Sequence, residues 1–169
     1  MHSTTKLIVR SALFLALAVI LPIAFHQFGL AGRMFNPMHI PVLLAGFICG
    51  PVGGVIVGLL SPAISFMITG MPPSYAVPLM SLELPIYGLI AGLTYVRLKL
   101  NIYVALILAI IFGRLAFALG LLILGFFIEL PYGLETYFKV VLATGLPGTL
   151  VQLVIIPPIT AALMRRRKL

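Results

Sequence analysis

Charged side chains are scarce in this chain, 8% of its 169 residues against 62% hydrophobic, where soluble domains carry roughly 25% charged residues. A water-soluble fold is thereby excluded, and the length leaves no room for a soluble catalytic domain. Acidic groups are scarcer still, three in all, so two separated carboxylates inside the apolar spans are not available for acid–base chemistry. Cysteine occurs once, at Cys49, which rules out an intrachain disulfide and says nothing about redox compartment. No H-E-x-x-H, G-x-S-x-G or Walker A pattern is present, so an intramembrane enzyme finds little support and any ATP-driven motor must be another chain. No cofactor and no metal site are expected.

What is present is apolar length. A bilayer-spanning helix takes roughly 20 apolar residues, so the chain is predicted to be an all-α integral membrane protein, one domain over residues 1–169 with six transmembrane helices. The spans fall at about Leu7 to Phe25, Met38 to Ile48, Val52 to Thr69, Tyr75 to Tyr95, Ile102 to Leu124 and Phe138 to Leu163. The first has the basic start of a secretory signal (Lys6, Arg10), but its apolar run is long for a signal core and a retained span is expected. The second is short, reaching about half the hydrocarbon thickness, and Gly50 and Pro51 then turn the chain.

The net charge of +8 would suggest nucleic acid in a soluble protein. Here the cations sit between and beyond the spans, where they set topology, and nucleic-acid binding is not expected. With both termini and the Arg97 to Asn101 loop in the cytoplasm, eight of the eleven basic residues lie on that side. The outside then keeps Arg33 and Lys139, with Glu129 and Glu135. Tyr75, Tyr95, Tyr103, Tyr132 and Tyr137 fall at the predicted interfaces, as an aromatic belt requires, and Tyr87 is the exception.

The densest information lies in NPMHIPVLLAGFICGPVGGVIVGLLSPAISFMITG, residues 36–70. Gly46, Gly50, Gly54 and Gly58 recur every fourth residue, a spacing that lets helix backbones approach closely in lipid. Pro37, Pro41, Pro51 and Pro62 break the same stretch. Gly/Pro-interrupted apolar segments point to a binding site in a transporter; a packing face without a ligand is the other reading.

Glu83 is the only carboxylate in an otherwise apolar helix, where a charge costs about 2.5 to 3.5 kcal/mol on insertion scales, so it is expected to face the bundle interior with a partner. Tyr87 shares its face. Arg114 near the middle of span five and Gln152 in span six reach a similar depth, and Asn36 and His39 stand at the outer start of span two. These six residues are the candidate substrate site, in one outward-facing cavity. Two readings of the charges remain open, a ligand site and a Glu83–Arg114 ion pair that only joins spans four and five. Ala12 and Ala16 on the first span form a flat A-x-x-x-A patch, for a partner helix or for packing inside the bundle.

Six short helices with both ends inside, the Ala12/Ala16 patch and the run MHIPVLLAGFICGPVGGVIVG together resemble a substrate-binding S component of an energy-coupling factor (ECF) vitamin transporter, over nearly the whole chain. The resemblance implies a membrane protein of bacteria or archaea that captures a vitamin or vitamin precursor from outside, in a cavity capped by the loop after helix one. It also implies a transmembrane coupling subunit, docked here at Ala12 and Ala16, and two cytoplasmic ATPase subunits. It carries no common substrate motif, so the six site residues rest on the residues alone and the vitamin stays unnamed. The competing reading is a self-sufficient secondary transporter or channel with Glu83 and Arg114 as an ion relay. Against it, the broken segments cluster in the first half with no matching second copy.

The topology is testable by labelling. A cysteine placed at Lys99 is expected to resist an impermeant thiol reagent applied outside the cell, and one placed at Arg33 to react; the opposite pattern inverts the arrangement.

Overall fold

The computed structural model describes residues 2–26, 36–127 and 134–165, all of it helices and turns. In chain order these are α1 (His2–His26), α2 (His39–Thr69), α3 (Ala76–Gly92) with a π-helical turn at Leu93–Arg97, α4 (Ile102–Leu124) and α5 (Leu134–Arg165). Helices are the outcome an apolar chain in lipid requires, because each backbone N–H and C=O must find its partner inside its own segment. Large apolar side chains such as Ile8, Leu13, Leu119 and Val154 cover the outside, a surface fitted to acyl chains.

α2 is not one rod. Gly50 has φ 81° and ψ −176°, a backbone region essentially reserved for glycine, and Pro51 after it has no N–H to carry the ladder on. In a straight helix His39 and Ser65 would stand roughly 39 Å apart, yet both line one cavity. The chain therefore folds back at Gly50 into a hairpin with legs 39–49 and 51–69. The far leg ends at Gly70, whose φ of 71° lets its N–H close on the Phe66 carbonyl.

α3 lies against this hairpin with almost nothing between the backbones. A Cβ on Gly54 would fall on the Gly88 backbone, and one on Gly88 on that of Gly54. Gly46, on the other leg, also meets Gly88, Gly58 meets Leu84 and Pro85, and Gly92 meets Gly50 and Pro51 at the bend. The every-fourth glycines are thus a packing face shared by two legs, both directed at α3.

The remaining helices are placed by the same contacts. Leu7 and Ser11 of α1 lie beside Gly53 near the bend, and Pro22 reaches the cavity at the other end. α4 packs on α3 through Gly113 against the Tyr87 ring and through a cluster of Leu79, Phe117 and Leu121. The bend end of the bundle gathers the start of α1, the turn at 98–101 and, beside Tyr95 and Lys99, Arg165 of α5. In that turn Leu98 and Leu100 donate to the Leu93 and Thr94 carbonyls, and the Asn101 side chain caps α4 by accepting from the Tyr103 N–H at 2.9 Å. The open end gathers Asn36 and residues 70–75.

The predicted second and third spans are the two legs of α2. Five helices among the described residues are long and apolar enough to cross a membrane, with His39–Thr69 taken as one. Leg 39–49 alone measures roughly 16 Å, about half the hydrocarbon thickness. Arg33, Glu129, Tyr132 and the basic tail beyond Arg165 lie outside the described residues.

Two glycine substitutions separate the two constraints. Gly88→Ala forces backbones apart and is expected to cost about 1 to 3 kcal/mol, the usual penalty of overpacking. Gly50→Ala meets open space but strains the bend, at about 1 to 3 kcal/mol. Thermal unfolding in detergent reads both, and an unchanged midpoint for Gly88→Ala would contradict backbone contact between α2 and α3.

Candidate functional site

The buried face of α3 carries Leu79, Glu83, Tyr87 and Ala91, one residue per turn. Glu83 is 3% exposed, and its partners come from two other helices. Arg114 of α4 donates from Nη1 to Glu83 Oε1 at 3.4 Å, and His39, in the first turn of α2, brings Nε2 to 3.6 Å from the same oxygen. Tyr87 presents its ring to the His39 imidazole edge to face, with centroids 5.1 Å apart and planes at 85°. Four of the six predicted residues thus form one cluster built by three helices.

Two glycines make room for it. A Cβ at Gly113 would enter the Tyr87 ring, and one at Gly145 of α5 would strike the Arg114 guanidinium. Glycine inside a helix costs about 1 kcal/mol relative to alanine, and here the space it leaves is occupied by a side chain of the cluster. Neither glycine is among the candidate residues that the sequence suggests, although an isolated glycine in a helical run, one of them next to Arg114, is a usable signal.

Electrostatically the cluster is lopsided. The Arg114 side chain keeps 21% of its surface exposed while that of Glu83 keeps 4%, so the guanidinium retains some access while the carboxylate depends on the protein for its solvation. Stranding such a carboxylate by removing its cation is costly, about 3 to 5 kcal/mol for a buried pair.

Next to the cluster, at the open end, lies a cavity of about 260 Å³. Its walls are Pro22 of α1, Asn36 to His39 at the start of α2, Ser65 on the far leg, the turn through Met71, Pro72, Pro73 and Tyr75, and Met80 of α3. Of the six predicted residues Asn36 and His39 line it. Glu83, Tyr87 and Arg114 stand behind His39, the one residue shared by cavity and cluster. Gln152 is buried on the inward stripe of α5 with Gly145, Gly148, Ile156 and Thr160, roughly 10 Å along the helix from the glycine that meets Arg114, and is not brought into the cluster.

Several buried polar atoms here have no hydrogen-bond partner: Asn36 Nδ2, both ring nitrogens of His39, and the hydroxyls of Ser65 and of Ser61 one turn below it. Buried polar groups in folded proteins are seldom left bare, and these gather on the two legs of one hairpin. Ser61 and Ser65 do not stand out in the sequence, and the Gly70 to Ser74 turn with Pro72 and Pro73 is legible there only as the end of a span. No group of three metal-ligating side chains occurs among the described residues. On α1, Ser11, Phe14 and Ala18 turn inward, while Ala12 and Ala16 lie on the exposed face.

Comparison with known proteins agrees with this architecture. The sequence model of the ECF transporter, substrate-specific component family matches residues 6–164. No curated protein and no solved structure gives a significant match. Members of that family bind small substrates in the membrane and work with a membrane coupling subunit and ATPases; they are transport subunits, not enzymes. A match over nearly the whole of a helical membrane bundle leaves one conclusion: this chain belongs to the family of substrate-specific components of ECF transporters.

Proposed function

We propose that the chain captures a vitamin or vitamin precursor from outside a prokaryotic cell, in the cavity at the open end of the α2 hairpin, as a single-domain subunit of an ATP-driven importer. The observation that carries this reading is the set of unpartnered polar groups on both legs around an otherwise apolar cavity, the mixture of apolar wall and few polar contacts typical of small-molecule pockets. Asn36 and His39 meet the substrate, while Glu83, Tyr87 and Arg114 hold the imidazole in place from behind.

The charge distribution supports the orientation. Arg97, Lys99 and Arg165 collect at the bend end, and by the positive-inside rule that end faces the cytoplasm with both termini, leaving the cavity open to the outside. The exposed Ala12/Ala16 strip offers a helix of the coupling subunit a close approach without displacing anything in this chain. Two cytoplasmic ATPases supply the energy through that subunit.

Two experiments test the reading. Purified from its native membrane, the chain is expected to bring a membrane coupling subunit and two ATPases with it, and replacing Ala12 and Ala16 by Leu should abolish that assembly and uptake while leaving ligand affinity in detergent unchanged; assembly by the double variant would make the strip mere surface. At the cluster, Glu83→Gln should keep the fold and weaken binding only through a less firmly held His39, by about 0.5 to 1.5 kcal/mol, whereas Arg114→Met should cost about 3 to 5 kcal/mol of stability, largely recovered when both are made apolar. Undiminished affinity in the double apolar variant would remove both residues from the site.

A further inference from the structure

The walls of the cavity restrict what can fill it. A volume of about 260 Å³ corresponds to roughly nine water molecules, a fit for one substituted ring and too little for a molecule as large as riboflavin. Among the described residues that line it, none carries a permanent charge. The nearest formal charges among the described residues, Glu83 and Arg114, lie behind His39 and compensate each other at 3.4 Å. Among those residues no free cation stands ready to receive an anionic ligand, and an ion transferred unpaired into an apolar site is heavily penalised.

The same walls select for a flat, polarisable partner. Met38, Met71 and Met80 bring three thioethers and Tyr75 a ring to the cavity, and sulfur makes favourable contacts with aromatic rings. The polar edge is equally specific. His39 is 4% exposed with both ring nitrogens unpartnered. The Glu83 carboxylate facing Nε2 at 3.6 Å favours the proton there, which leaves Nδ1 as an acceptor. Asn36 Nδ2 is an unpartnered donor, and the Ser65 hydroxyl serves either way. A complementary ligand must present a donor and an acceptor together.

Taking this cavity as the substrate site, as proposed above, we propose that its ligand is an uncharged, single-ring nitrogen heteroaromatic bearing an amino or hydroxyl group, admitted in preference to its own phosphate ester, with His39 as the selecting residue. A ring nitrogen accepts from Asn36, the substituent donates to His39 Nδ1, and the ring face packs on the thioethers.

Titration calorimetry of the full chain in detergent tests this with pyridoxine and an amino-hydroxymethylpyrimidine as one-ring probes, the phosphate ester of each as the anionic counterpart, and riboflavin as a three-ring probe. A one-ring probe is expected to bind, its ester roughly a hundredfold or more weaker, and riboflavin not at all. His39→Phe, which keeps an aromatic ring edge to face with Tyr87, should weaken the bound probe about tenfold to a hundredfold. If that variant does not fold, Asn36→Ser at the cavity edge should lower affinity in the same direction. Tighter binding of an ester or of riboflavin, binding unaffected by the folded variants, or no binding of any of these probes overturns the inference. Co-purification of the coupling subunit and ATPases stands or falls separately, so a failure here is distinguishable from a failure of the importer reading.

Discussion

At Gly88 the backbone of α3 touches that of Gly54, and the same glycine receives Gly46 from the other leg of α2. In lipid there is no hydrophobic gain in bringing two helices together, so association rests on packing, and packing is closest where side chains are absent. The bend at Gly50 directs two glycine-bearing legs at one helix, and the contact of Gly92 with Gly50 and Pro51 sets their height. With those contacts in place the mouth of the hairpin, where Asn36, His39 and Ser65 meet, has a defined width. Side chains at the glycine contacts would open the mouth and separate the polar atoms that it gathers.

The Glu83 cluster depends on that arrangement and adds a second constraint to it. A carboxylate 3% exposed in a helix this apolar is tolerable only with its partners in reach, and those partners sit on α2 and α4. The charge therefore ties three helices to one register. Gly113 and Gly145 serve the same end from the opposite direction, because the Tyr87 ring and the Arg114 guanidinium occupy the volume that their missing side chains leave. His39 belongs both to this group and to the cavity, which makes it the point where the two meet.

The structure divides the molecule along one axis. One end carries the cavity; the other carries cations, the bend and the start of α1. Along the side, α1 keeps Ser11, Phe14 and Ala18 for the bundle and shows Ala12 and Ala16 outward, so its small residues are not consumed by packing within the chain. Members of this family bind a small substrate and work with a membrane coupling subunit and ATPases, and two such tasks call for two separate surfaces.

Much of this was legible in the residues. The run Ile102 to Leu124 is α4 from end to end, since the Asn101 cap and an unbroken apolar stretch mark both limits. The inward orientation of Glu83 and Tyr87 followed from the cost of a charge in lipid, and the fold-back at Gly50 from a Gly-Pro pair between apolar segments. The cavity was only half visible. An equal count of residues from Gly50 places Ser61 opposite His39 and Ser65 one residue beyond the level of Asn36, yet nothing in local spacing says that the two legs close on each other at an angle that brings them together. Gln152 shows the converse: its depth and inward face were readable, but its distance from the cluster depends on how α5 lies against α4. Periodicity, breakers and the energetic cost of charge act within a segment and are set by the sequence itself, so they determined the helices, their buried faces and the hinge. Which faces meet, and whose unpaired polar atoms share one cavity, depends on contacts between segments distant in sequence, and only the packing of the whole bundle decided it.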